Sequence, residues 1–169
     1  MGALKILLLS DTHGYFDETI FDFVKKSDCV WHAGDFGEGE LVERVKSVKP
    51  LLGVYGNIDG MNIRSEFPEV LNFETEGINV LMKHIGGYPG RYAPGVKQLL
   101  KEKKPDLFIS GHSHILKVQK DKDLGILHMN PGAAGRSGFH AIRTMIRFEI
   151  IDSTIKNIQV IELGKRSRG

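Results

Sequence analysis

The chain predicts an α/β fold in which a layered β-sheet carries helices on its faces. Short apolar runs alternate with amphipathic helical stretches through the first half, giving the order β, α, β, α, β. Hydrophobic residues make up 41% and charged residues 26%, enough apolar side chains for a substantial core. No self-similarity recurs at the period of roughly 20 to 50 residues that marks a solenoid.

Taking the elements in order, Ile6 to Leu9 reads as a short buried strand. Phe16 to Lys26 follows as a helix with Phe16, Ile20, Phe23 and Val24 on its apolar stripe, and Asp28 to His32 as the next strand. A second helical stripe runs through Leu41, Val42, Val45 and Val48; Pro50 ends it before a third strand at Leu51 to Tyr55. Val70 to Phe73 and Ile78 to Ile85 flank Glu76-Gly77 and predict a hairpin. The next helix runs from about Pro94 to Lys104. Its terminal Lys101, Lys103 and Lys104 complement the negative end of the helix dipole and need no functional role. Strands return at Leu107 to Ser110, Leu116 to Lys120, Leu124 to Met129 and Ile142 to Ile150. In the last, Ile142, Thr144, Ile146 and Phe148 face one way and Arg143, Met145 and Arg147 the other.

The 169 residues suit one domain spanning 1–169, since no composition shift or linker divides them. A net charge of +2 implies no chain-wide attraction to polyanions, and the basic tail Lys165-Arg166-Ser167-Arg168 reads as solvated. Cys29, the one cysteine, excludes an intrachain disulfide and lies in an apolar run that suits burial better than thiol catalysis. Leu4 to Leu9 is too short for a membrane span or a signal-peptide core, and Ile6 stands where myristoylation after Met1-Gly2 requires Ser or Thr. The expected location is cytoplasmic, with no membrane partner.

The chemistry is concentrated where strands end. Asp11-Thr12-His13 follows the first strand, Gly34-Asp35 the second and Gly56-Asn57 the third. His84 follows the hairpin strand, and Gly111-His112-Ser113-His114 follows Leu107 to Ser110. Each piece alone reads as readily as a turn, a cap or a packed histidine. The two imidazoles spaced two residues apart beside Gly111 are the strongest single signal for metal. Loops at the carboxyl ends of strands converge on one rim, so residues scattered over a hundred positions can meet in one crevice.

In this order and spacing, Asp-x-His, Gly-Asp, Gly-Asn, His and Gly-His-x-His, the residues resemble the calcineurin-like metallophosphoesterases. With the short chain and Asn130-Pro131-Gly132 after a late strand, they resemble the small YfcE-type phosphodiesterases. The resemblance covers about residues 4 to 150 and implies a two-sheet β-sandwich flanked by helices. It assigns Asp11, His13 and His114 to one metal, Asn57, His84 and His112 to a second, and Asp35 to a bridge between them. The implied activity is phosphodiester hydrolysis by a hydroxide bridging two divalent ions, which acidify water and offset charge on the phosphoryl oxygens. Oxygen and nitrogen donors without thiolate suit manganese, iron, zinc, nickel, cobalt or magnesium, and manganese is the first expectation.

Two departures stand out. Larger members follow Gly-Asn with a histidine thought to protonate the leaving group, whereas this chain reads Asn57-Ile58-Asp59. Asp59 is then the one nearby candidate proton donor, with Asn57 and His84 as catalytic groups beside their metal roles. The small enzymes commonly read His-Gly-His after the next ligand, whereas this chain has His84-Ile85-Gly86-Gly87. Tyr88, Arg91 and Arg136, in glycine-rich stretches, are candidate substrate contacts, Arg through a forked phosphate contact and Tyr by stacking. His32 reads as a core residue or a support to the ligand loops, and His128 and His140 as structural or surface residues. The expected substrate is a small phosphodiester rather than a nucleic-acid polymer, and a homo-oligomer is compatible with the sequence. The rival reading is a non-catalytic interaction scaffold like the retromer subunit of the same fold, whose metal ligands are degraded; here all seven positions are filled.

Overall fold

The computed structural model describes residues 2–167; Arg168 of the basic tail lies outside them. Two five-stranded sheets pack face to face. The first has the order β12-β11-β1-β2-β3, built from β1 (Leu4–Leu9), β2 (Cys29–His32), β3 (Leu51–Gly53), β11 (Ile142–Ile151) and β12 (Thr154–Lys165). The second has the order β4-β5-β8-β10-β9, from β4 (Val70–Thr75), β5 (Ile78–Lys83), β8 (Leu107–Ile109), β9 (Lys117–Asp121) and β10 (Ile126–Asn130). Between β5 and β8 come a two-stranded ribbon, β6 (Gly87–Tyr88) with β7 (Arg91–Tyr92), and helix α4 (Val96–Lys103). Helices α1 (Glu18–Lys25), α2 (Leu41–Lys46) and α3 (Met61–Glu66) belong to the first half of the chain.

The alternation of side chains along each strand makes the layers. Ile6 and Leu8 of β1 face inward and join Trp31, Val80, Met82, Ile109, Ile146 and Phe148 in the core between the sheets. Leu7 and Leu9, one residue out of phase, pack on the other side with Ile20 and Val24 of α1 and Val45 of α2. On the far side of the second sheet, Leu81 and Phe108 meet Val96 and Leu100 of α4. Each such side chain removed from water is worth about 1.5–3 kcal/mol. Asp17 caps α1 by accepting the Ile20 N–H at 2.9 Å and also pairs with buried Arg143 at 3.3 Å. Cys29 sits partly buried, its thiol pushed up to about 11 first by burial and then by Asp28, so it stays protonated.

The start of β11 is less buried than its middle. Ile146 and Phe148 lie in the inter-sheet core and Met145 on the opposite side, but Ile142 is exposed because the strand register shifts between Arg143 and Thr144. No helix among the described residues is long and apolar enough to cross a membrane.

In both sheets, three mutually parallel strands point the same way: β1, β2 and β3 in the first, and β5, β8 and β10 in the second. Their carboxyl ends carry the polar loops.

Candidate metal centre

Within hydrogen-bonding reach of one another, the loops after β1 and β2 run side by side. Asp11 N–H donates to Gly34 O at 2.9 Å and His13 N–H to Asp35 O at 3.0 Å. His32, at the end of β2, locks this pair. Gly34 N–H donates to His32 Nδ1 at 3.0 Å, which leaves the ring proton on Nε2, 3.0 Å from Thr12 Oγ1; that hydroxyl donates onward to Phe36 O at 2.9 Å. The ring also stacks on Phe36, with centroids 3.7 Å apart. Burial, the leading cause, holds His32 down to about 3, so it is neutral.

Asp59 ties the third loop to the second. One carboxylate oxygen accepts from Gly56 N at 2.8 Å and Phe36 N at 3.2 Å, and the other from Gly37 N at 2.9 Å. A buried carboxylate that accepts from three backbone donors acts here as a clamp between the two loops. Close approach also explains the motif glycines. A Cβ at Gly56 would overlap the Asp35 carboxylate, and one at Gly34 would stand 2.5 Å from His84 Nδ1.

From the second sheet, His84 Nδ1 donates to Ala33 O at 2.7 Å, leaving Nε2 as its free lone pair. Gly111 N–H bonds His84 O at 3.0 Å, which sets the Gly111–His114 loop against the first sheet. Asn130 holds that loop from behind, donating from Nδ2 to Gly111 O and Ser113 Oγ at 3.1 Å each. The asparagine of Asn130-Pro131-Gly132 is therefore a loop support.

The seven side chains come together as two groups. Asp11, His13 and His114 form one and Asp35, His84 and His112 the other, each with one possible ligand atom per residue within 4.8 Å of the rest. Asn57 Oδ1 joins the second group, 3.1 Å from His84 Nε2 and 3.0 Å from His112 Nδ1. Each carboxylate has one oxygen anchored and one presented. Asp11 Oδ2 accepts from Ser10 Oγ and His112 N, while Oδ1 lies 3.2 Å from His114 Nε2 and 3.8 Å from both His13 and His84. Asp35 Oδ1 accepts from Ile58 N, while Oδ2 lies 3.4 Å from His13 Nε2 and 3.2 Å from His84 Nε2, between the groups.

Buried Asp11 Oδ1 and His13 Nε2 have no hydrogen-bond partner, which is costly for polar atoms in a protein interior. A divalent cation between them satisfies both, so the residues present fit the metal. Electrostatics agree. Burial pushes Asp11 and Asp35 up, yet the histidines against them, His114 and His13 for Asp11 and His13 and His84 for Asp35, hold both well below the usual carboxylate range. His13 is raised to about 9, chiefly by Asp11 and then Asp35; His84 is raised too, Asp35 and Asp11 overcoming its burial.

Backbone strain marks the same place. Asp11, His13, Asp35, His112 and His114 all have φ between 47° and 71°, the left-handed region that costs residues with a Cβ about 1–2 kcal/mol each. Among the described residues, half of the ten non-glycine residues with positive φ are in this cluster, so the strain concentrates at the site.

Residues 4–153 match the family model described as the calcineurin-like phosphoesterase superfamily domain. The chain belongs to that superfamily. It is 30% identical over 137 residues to a probable metallophosphoesterase of Methanocaldococcus jannaschii, covering 78% of this chain and 69% of the relative. Among solved structures, one described as a novel archaeal phosphodiesterase superposes with a TM-score of 0.70 at 21% identity, over 94% of this chain and 99% of that one. A Vps29 mutant from Entamoeba histolytica gives the same TM-score at 14% identity, over 95% and 99%. At these identities the two structures speak for the fold alone. Family and geometry together make this a metallophosphoesterase with two groups of residues able to hold divalent metals.

The candidate substrate contacts separate. Arg91 lines a depression with Tyr92, Asp121 and Lys122 that none of the seven side chains enters, and the Tyr88 ring lies 4.0 Å beneath Lys117 Nζ. Arg136 differs. It follows Gly135, whose N–H bonds Asp11 O at 3.1 Å; its guanidinium lies over Tyr15, and its buried Nε is unpaired. His140, which reads from the sequence as a structural or surface residue, brings its ring against His114. Sequence reasoning carried no signal for that contact, since 26 residues separate the two.

Proposed function

We propose that the chain hydrolyses phosphodiesters whose leaving groups are the anions of acidic alcohols or phenols, using all seven gathered side chains to hold two divalent ions, with manganese as the first choice. The observation that carries this reading is the convergence of unpaired buried atoms, Asp11 Oδ1 and His13 Nε2, beside Asp35 Oδ2, which faces both groups. When bound, the ions supply Lewis acidity for water activation and offset charge on the phosphoryl oxygens.

Around them, the chain's own residues set the substrate. A cleft of about 1140 Å³ opens from His13 past Ile58, Met61, Asn62, Glu38 and Ser137, and neither lysine nor arginine among the described residues lines it. Without lysine or arginine along this cleft wall, a small diester fits better than a polynucleotide. Arg136 is the cation proposed to meet a non-bridging oxygen. Asn57 and His84 position the second group, and their part in the chemistry is to orient. Asp59 is engaged as a clamp and Ile58 carries no proton, so the departing oxygen leaves as an anion or takes its proton from water. The protein is placed, in this proposal, in the cytoplasm.

Met61, Ile115 and Phe139 are exposed large apolar side chains, the observation that favours the scaffold reading. The manganese-loaded protein screened against aryl phosphodiesters, cyclic nucleotides and phosphomonoesters separates the two. Hydrolysis led by the aryl diesters is expected, and no turnover of any class supports the scaffold.

A further inference from the structure

We infer that His140 is a positioning residue that fixes the ring orientation and tautomer of His114, so that one metal group depends on a loop outside the metal motifs. This rests on the metal-centre reading above. His140 Nε2 lies 2.9 Å from Gly135 O. A carbonyl only accepts, so Nε2 carries the proton, and in the neutral ring Nδ1 is then a lone pair. That lone pair lies 3.3 Å from His114 Nδ1. His114 Nδ1–H therefore donates to His140, which leaves His114 Nε2 to face Asp11 Oδ1 at 3.2 Å, in the first metal group. The relay runs from a backbone carbonyl through two imidazoles to the ligand atom.

Local geometry fits this role. The rings meet edge to face, 5.1 Å between centroids at 74°. Gly138, at φ 128°, passes so close that a Cβ there would overlap His114 Nδ1 and stand 3.2 Å from His140 Nδ1. Only a residue without a side chain lets the two nitrogens meet. Arg166 Nε donates to His140 O at 2.8 Å and its N–H to Ala141 O at 3.0 Å, fastening the loop from the end of β12. The other group has a different orienter: His84 Nδ1 donates directly to the Ala33 carbonyl. Partners that orient a ligand imidazole commonly contribute about 10- to 100-fold to metal affinity.

The test compares three variants of the full chain by calorimetric titration with manganese, each checked first for its metal-free melting temperature. His140→Phe keeps a ring but offers no acceptor; His140→Asn places an amide oxygen near the lost Nδ1; Gly138→Ala wedges the pair apart. The expected result is one of two binding steps weakened by about 10- to 100-fold in His140→Phe and Gly138→Ala, with the other step unchanged and His140→Asn close to the unmodified protein. Unmodified binding in His140→Phe would overturn the inference. Equal weakening in His140→Phe and His140→Asn would overturn it too, because loop packing rather than the acceptor would then be responsible. A chain that binds no manganese at all before substitution would instead refute the metal-centre reading.

Discussion

The two sheets contribute to the metal centre in different ways. Loops of the first sheet bring Asp11, His13, Asp35 and Asn57, and they are bound to one another through His32, Thr12 and the three-donor clamp at Asp59. The second sheet brings His84, His112 and His114, whose rings rest on one or two contacts each: His84 on Ala33 O and Asn57 Oδ1, His112 on Asn57 Oδ1 and His114 on His140. The carboxylate side is therefore a cross-braced frame, and the imidazole side a set of separately oriented donors. Losses on the first side are expected to be collective and those on the second confined to one ion.

The largest effect is expected at Asp35, whose Oδ2 faces both groups. Asp35→Ala removes tight binding of the metal pair, whereas His112→Ala and His114→Ala each weaken one step and leave the other. Calorimetric manganese titration checks this; full stoichiometry in Asp35→Ala would sink the bridging role, and identical losses in the two histidine variants would erase the contrast between the sides.

Next comes Asp59. Asp59→Ala strands three backbone donors, and with about 1–3 kcal/mol for each buried group left unsatisfied, a loss of about 3 kcal/mol or more in denaturant unfolding is expected. Asp59→Asn, which keeps one acceptor oxygen, should lose less. It should also slow aryl and alkyl esters alike; selective slowing of alkyl esters would restore Asp59 as the acid.

How far the sequence foretold this contrast depends on where the signal lies. Each ligand stands directly after an apolar run, several beside a glycine that the packing requires, so strand ends and ligands were legible together. The braces were not. Asp59 reaches Phe36 and Gly37 across 22 or 23 residues, and His140 reaches His114 across 26, through pairings that only the folded chain creates. Elements with little burial were missed as well. Helix α3 has no buried residue, the β6–β7 ribbon has two residues per strand, and β12 is an edge strand that is mostly exposed, so none shows a clear apolar period.

A smaller and more gradual effect is expected from acid. His32 titrates at about 3 in the folded protein against 6.5 ordinarily, because burial opposes its charge. The folded state thus binds fewer protons than the unfolded chain between those values, and stability contributed by the neutral ring is complete above pH 6.5 and falls as pH drops toward 3. Urea unfolding of the metal-free protein across that range should show the decline, with a shallower slope in His32→Asn. Matching slopes would mean that the brace on the first side is not what acid releases.

The central claim is a two-metal centre that cleaves phosphodiesters with no positioned acid for the leaving group, and a series of diesters differing only in the acidity of the leaving phenol or alcohol tests it most directly. General acid catalysis is typically worth about 10²- to 10⁴-fold. Its absence predicts that kcat/KM of the manganese-loaded protein rises steeply with leaving-group acidity, nitrophenyl diesters far ahead of simple alkyl diesters. A flat series, with chemistry shown to be rate-limiting, would contradict the account and require a proton donor that neither Ile58 nor Asp59 provides.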